Sequence, residues 1–235
     1  MMFNDCDAKR FFQELKYYLL YYGNDFKEDQ GLERIISVII KYAKEGSWCD
    51  LGGGSNTRFW RMAFPKLSSI ECYDMSKESF LLSEIIENNF SKSGCYKFIE
   101  DFVGVRANLN NDVEIKYYKT DLLNDKIMIK RSYDNITQIG LLGLIDNKDK
   151  FISKTHEIID LLSIGGVYIG ANWIFNSKYS NKININNNYI TPALIENMIK
   201  NTSVKLCYCE EIPLKNDENY LGFILYVIQN MPDVK

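Results

Sequence analysis

Histidine is nearly absent from this chain: His156 stands alone among 235 residues. It falls mid-helix between Thr155 and Glu157, on the expected solvent side, so no Ser/His/Asp or Cys/His arrangement can be assembled around it. The six cysteines lack the paired CxxC spacing of a zinc site, and one histidine cannot complete such a site. Cys49, Cys72, Cys207 and Cys209 fall in predicted strands and read as reduced structural thiols. Excess positive charge is missing as well. With 28 Lys and Arg against 31 Asp and Glu, the net charge of -3 argues against nucleic acid as a partner, because its phosphate backbone needs a basic face. The longest apolar run, Ile136 to Ile145, is broken by Thr137, Gln138 and two glycines, well short of the roughly 20 residues of a membrane span. Met1 to Asp7 carry acids where a signal peptide has a basic and then an apolar stretch, so a cytoplasmic location is expected.

What is present is an ordinary globular composition, 46% hydrophobic and 25% charged, long enough to bury one large core. Phe11, Phe12, Leu15, Tyr18, Leu19 and Tyr22 recur at helical spacing, leaving Tyr17 and Tyr21 on a flanking face. A second helix turns Leu32, Ile35, Ile36 and Ile39 inward. Strands are predicted at 47–51, 69–73, 113–118, within 133–142, and at 167–172, 204–211 and 221–229. Helices are predicted at 57–64, 76–90 and 148–162, with a further one from Thr191-Pro192 and a polar loop at 173–189. The alternation predicts an α/β Rossmann-like fold: a seven-stranded, mostly parallel sheet with an antiparallel C-terminal strand and helices on both faces. A single domain over 1–235 is expected, with an N-terminal helical cap at 1–46 and a helical insertion at 91–112.

The informative segment is Trp48-Cys49-Asp50-Leu51-Gly52-Gly53-Gly54-Ser55-Asn56, followed about twenty residues later by Cys72-Tyr73-Asp74-Met75. Strand, glycine turn, helix and a second strand ending in an acid make a nucleoside-binding pattern. A dinucleotide site places a third small residue after Gly-x-Gly, where helix and strand touch and a pyrophosphate approaches the helix start. Here Ser55, Asn56 and Thr57 follow instead. Asp50 at the strand end would repel a diphosphate and attract an ammonium group. Both departures favour a zwitterionic nucleoside without phosphate.

With Asp50-x-Gly52-x-Gly54, Asp74 and Asp121 at the ends of three successive strands, the chain resembles the class I S-adenosylmethionine-dependent methyltransferases. The resemblance covers nearly the whole length. It implies that Asp50 holds the methionine ammonium, through water, and that Gly52 and Gly54 admit the methionine part. Asp74 would accept from the ribose hydroxyls and Met75 would pack on adenine. Asp121 and Leu122 would address the adenine edge, while Gln138 and Ile139 would close the strand-four side. A fainter similarity, to the nicotinamide, phenylethanolamine and thioether methyltransferase group, implies a cofactor lid from Tyr18 and Tyr22. It also implies an acceptor pocket from Tyr17, Tyr21, Asn172, Trp173 and Tyr179.

The implied reaction transfers a methyl group from S-adenosyl-L-methionine to a small-molecule acceptor, with nitrogen favoured, by in-line displacement. Alignment and water exclusion are its main requirements and a general base is optional. A macromolecular acceptor and a non-catalytic S-adenosylmethionine-binding subunit are the alternatives. The chain is expected to act without a metal, as a monomer or weak homo-oligomer.

Overall fold

The computed structural model describes residues 5–22, 31–90, 94–200, 202–215 and 217–232. Among these, seven strands form one sheet: β1 (Gly46–Leu51), β2 (Leu67–Asp74), β3 (Ile115–Lys119), β4 (Tyr133–Ile139), β5 (Leu162–Phe175), β6 (Val204–Pro213) and β7 (Tyr220–Asn230). Their order is β3-β2-β1-β4-β5-β7-β6. The first five are mutually parallel, and β7 runs antiparallel between β5 and β6. This is the class I methyltransferase form of the Rossmann-like fold.

The central strands are apolar on both faces because helices cover both. Trp48, Ile70, Ile169 and Leu225 belong to one core, and Cys49, Ile136, Tyr168 and Ile228 to the other. Helices α1 (Asp5–Tyr21), α2 (Leu32–Tyr42), α3 (Thr57–Arg61), α4 (Lys77–Phe90) and α5 (Gly94–Val103) send side chains into the first core. Helices α6 (Lys148–Ile159) and α8 (Pro192–Ile199) fill the second, and the short α7 (Ser177–Ile183) buries no residue. In the first core Trp48 stacks on Phe64, ring centroids 4.3 Å apart. Between α4 and β3 the chain forms α5 and a 3-10 turn (Gly104–Asn108), and Asn110 anchors this stretch. This buried amide accepts from Leu67 N at 2.7 Å and donates to Pro65 O at 3.0 Å.

Several local expectations are corrected. On α1, Phe12 is 66% exposed and Leu19 also faces out, while Tyr18 and Tyr22 are buried. Gly165-Gly166 does not precede β5 but lies inside it. Leu162 pairs with Tyr133 and Val167 with Asn135, so residues 163–166 bulge from the ladder, helped by Gly165 at φ 78°. The 173–189 segment is not a plain loop: β5 runs on to Phe175, and α7 follows, capped by Asn176 accepting from Tyr179 N at 2.9 Å. His156 is half-buried, its Nε2 2.9 Å from Met198 O, which ties α6 to α8.

Candidate active site

The glycine turn sits where the sheet order reverses, between β1, which continues into β2 on one side, and β4 on the other. In open α/β sheets ligands bind at this point, beyond the carboxyl ends of the strands. Gly52 and Gly54 have φ of 72° and 53°, backbone that L side chains rarely adopt. Gly52 N donates to Tyr73 O at 2.8 Å, which ties the turn to β2. A methyl group on Gly53 would collide with the Asp50 carboxylate and the Thr57 hydroxyl.

Those two groups form a buried chain under the turn. Trp48 Nε1 donates to Thr137 Oγ1 at 2.8 Å, Thr137 donates to Asp50 Oδ1 at 2.6 Å, and Thr57 donates to Asp50 Oδ2 at 2.7 Å. Burial pushes the Asp50 carboxyl up to about 6, with the two hydroxyls opposing the rise. Asp50 therefore lies below the turn, outside the cavity wall, with both oxygens engaged. Asn56, at the start of α3, lines the cavity instead, and its buried Oδ1 has no partner among the described residues. It is an acceptor left over, suited to an ammonium. From the sequence alone, Asn56 reads only as part of the Ser55-Asn56-Thr57 departure from the dinucleotide pattern.

On the β2 side, Asp74 reaches the cavity. Its Oδ1 accepts from Ser76 N at 2.8 Å; burial raises its pKa, opposed by the N–H groups of Ser76, Gly54 and Met75. Glu14 of α1 joins it on the same wall. Burial also raises the Glu14 carboxyl, a hydrogen bond from Ser79 lowers it, and the charges of Asp74 and Glu78 add to the rise. Glu14 was missed in the sequence; its signal was the three-residue spacing to Tyr17, which puts both on one helical face. Met75, Asp121 and Leu122 line the same side. The Asp121 carboxylate accepts from Leu123 N, Asn124 N and Asn124 Nδ2, and the Asn124 contacts hold its pKa low.

The whole cavity measures about 520 Å³, within the range of small-molecule sites. Tyr17 of α1 and Tyr22, just past its end, close one side. Ile139, Trp173, Tyr179 and Tyr220 wall the side above β4, β5 and β7. Besides Asp50, three expected residues are not on the cavity wall. Tyr18, 1% exposed, packs between Tyr22 and Tyr96. Gln138 and Asn172 point to the opposite face of the sheet. There Gln138 Oε1 accepts from Leu142 N at 2.7 Å, and Asn172 Nδ2 lies 3.4 Å from the Tyr226 hydroxyl. Strand parity decides this: Trp173 faces the cavity, so its neighbour Asn172 cannot. The Tyr21 side chain lies outside the described residues. No group of metal-ligating side chains occurs among the described residues, and no described helix is long and apolar enough to cross a membrane.

The fold is the one seen in the class I methyltransferases. The chain aligns with the N-methyltransferase NodS from Bradyrhizobium japonicum in complex with S-adenosyl-L-homocysteine at a TM-score of 0.60 and 10% identity, covering 96% of this chain and 99% of that one. A magnesium protoporphyrin IX methyltransferase from Synechocystis with bound S-adenosylmethionine gives 0.58 and 9%, over 98% and 99%. An S-adenosylmethionine-dependent methyltransferase from Clostridium acetobutylicum gives 0.57 and 14%, over 96% and 100%. At these identities the likeness is one of fold. No family model and no curated sequence matches the chain.

Proposed function

We propose that this chain is an S-adenosylmethionine-dependent methyltransferase acting on a small-molecule acceptor, with nitrogen as the favoured atom. The observation that carries the reading is the single cavity wall shared by the glycine turn, Asn56, Asp74 and Leu122. These supply, in order, close backbone approach, an acceptor for an ammonium, a carboxylate for two hydroxyls, and an apolar edge for a base. The order matches methionine, ribose and adenine. Two of the neighbouring structures hold that cofactor or its product, which agrees with the reading.

S-adenosylmethionine would bring a methyl group already activated on sulfonium. The chain's task is then to hold, align and dry the site. Asp74 and Glu14 would grip the ribose, and the Asp50 carboxylate under the turn would supply negative potential beneath the amino acid part. Tyr17 and Tyr22 would cover the sulfonium, which aromatic faces favour. In this reading residues 1–235 form one catalytic domain, 1–46 its cap and 91–112 an insertion. The nicotinamide, phenylethanolamine and thioether group is a weaker assignment, since Asn172 is turned away from the cavity. Tyr17, Trp173 and Tyr179 still fit an acceptor wall.

Calorimetry with S-adenosylmethionine and with NAD tests the proposal, followed by a screen of amines, pyridines, thiols and phenols read by S-adenosylhomocysteine release. Binding of S-adenosylmethionine and turnover on a small acceptor are expected. Micromolar NAD binding without S-adenosylmethionine binding would overturn the reading.

A further inference from the structure

We propose that the part of the cavity farthest from Asp74 recognises a positively charged amine head group, with Asp217 and the rings of Trp173, Phe175, Tyr179 and Tyr220 as its socket. The proposal rests on the methyl-transfer reading, which leaves the acceptor open, and assigns that acceptor a charge class.

Position separates the socket from the nucleoside end. Asp74 ends β2, while Trp173 and Phe175 close β5, three strands along the sheet through β1 and β4. At ~4.8 Å per strand this is ~14 Å, and Tyr220 at the start of β7 lies one strand farther. A cation bound at this end would therefore lie beyond the contacts to ribose and adenine.

The rings form a connected cluster. Phe175 and Tyr179 have centroids 5.4 Å apart, Phe175 and Tyr220 5.8 Å, Tyr179 and Tyr220 5.8 Å, and Trp173 and Tyr220 6.4 Å. All four line the cavity. Aromatic faces attract cations and exclude water, most strongly where the site is dry. Lys182, outside the cavity, already sets its ammonium 6.0 Å from the Tyr179 centroid.

Charge points the same way. Among the described lining residues, Glu14, Asp74, Asp121 and Asp217 are acids, and none is Lys, Arg or His. Three of these acids serve the nucleoside side, leaving Asp217 with the rings. Its Oδ1 accepts from Asn219 N at 2.8 Å and Tyr220 N at 2.9 Å, which fixes the carboxylate on the β6–β7 hairpin. The described lining offers an anionic acceptor no cationic side chain to pair with. A protonated aliphatic amine gains from both the rings and Asp217. The free amine is the reacting form: its proton passes to Asp217 or water, its lone pair forms the N–C bond, and the electron pair of the broken C–S bond stays on sulfur.

The test is calorimetry on the full chain saturated with S-adenosylhomocysteine, using choline as cation and 3,3-dimethylbutan-1-ol as its neutral isostere. Choline has no nitrogen lone pair, so recognition is read apart from nitrogen methylation. Choline should bind about tenfold more tightly than the alcohol. Asp217→Asn, which keeps the turn-forming oxygen, should lose most of that preference, and Asp217→Glu should recover part of it. Equal affinity for the two probes, or tighter binding of 3,3-dimethylbutanoate, overturns the proposal while leaving methyl transfer intact. Failure of S-adenosylhomocysteine itself to bind overturns the methyl-transfer reading and this proposal with it.

Discussion

Thr57 and Asp50, on opposite sides of the glycine turn, meet beneath it, where the threonine hydroxyl donates to the carboxylate over 2.7 Å. The same threonine that breaks the dinucleotide pattern is thus the partner that makes a buried acid tolerable there.

This acid gives a pH prediction. Its carboxyl titrates at about 6 in the folded chain and near 3.9 when unfolded. Between those values the folded chain keeps a proton that the unfolded chain releases, so the Asp50 contribution to stability falls as pH rises from about 4 to about 6. A ligand ammonium near the turn favours the charged form. S-adenosylhomocysteine is therefore expected to bind more tightly at about pH 7.5 than at about pH 5, and Asp50→Asn to flatten that dependence. Dissociation constants at the two pH values check it, and an identical slope in the variant would remove Asp50 from the account.

Gly53→Ala places a methyl group against the Asp50 carboxylate and the Thr57 hydroxyl. The turn must shift to admit it, at a cost of about 1–3 kcal/mol in stability. Denaturant midpoints of the free protein should show that loss. A variant as stable as the parent would mean that the turn yields easily.

Asp74→Ala removes the one carboxylate at the end of β2 that reaches the cavity. Cofactor binding is expected to weaken by about 1.5–3 kcal/mol, the range for charge-assisted hydrogen bonds. Unchanged affinity in a folded variant would reduce Asp74 to a cap for the Ser76 turn, which its 2.8 Å bond to Ser76 N also serves.

Tyr17 and Tyr18 are neighbours with opposite expected effects. Tyr18 is enclosed by Tyr22 and Tyr96, so Tyr18→Ala should cost about 3–5 kcal/mol of stability, as for other large aromatic truncations. Tyr17 is 46% exposed and lines the cavity, so Tyr17→Ala should leave the melting point within about 0.5 kcal/mol equivalent and weaken ligand binding. Thermal melts with and without S-adenosylhomocysteine separate the two, and a reversal would mean that the lid and core faces of α1 are exchanged.

The centre of the fold was legible because its signals are local. Glycines at positive φ, acids at strand ends and apolar runs in strands buried on both faces all leave marks in a single sequence. What escaped depended on register. The bulge at 163–166 looks like a turn because Gly165-Gly166 is the usual sign of one. Helix α7 has no apolar period to detect, since it buries nothing. The face taken by Asn172, as against Trp173, follows from strand parity, and that of Tyr18, as against Tyr17, from helix rotation. Neither is encoded by residue type. Asn56 carried a chemical signal, but its meaning required knowing that Asp50 was already bonded on both oxygens.

Helix α1 supplies Gln13, Glu14 and Tyr17 to the cavity while packing on α4 beside it. The wall and the door are therefore one piece of chain. A ligand held by Glu14 would therefore touch α1 itself, and in the proposed methyl transfer the release of product would involve this helix as well as the reacting atoms.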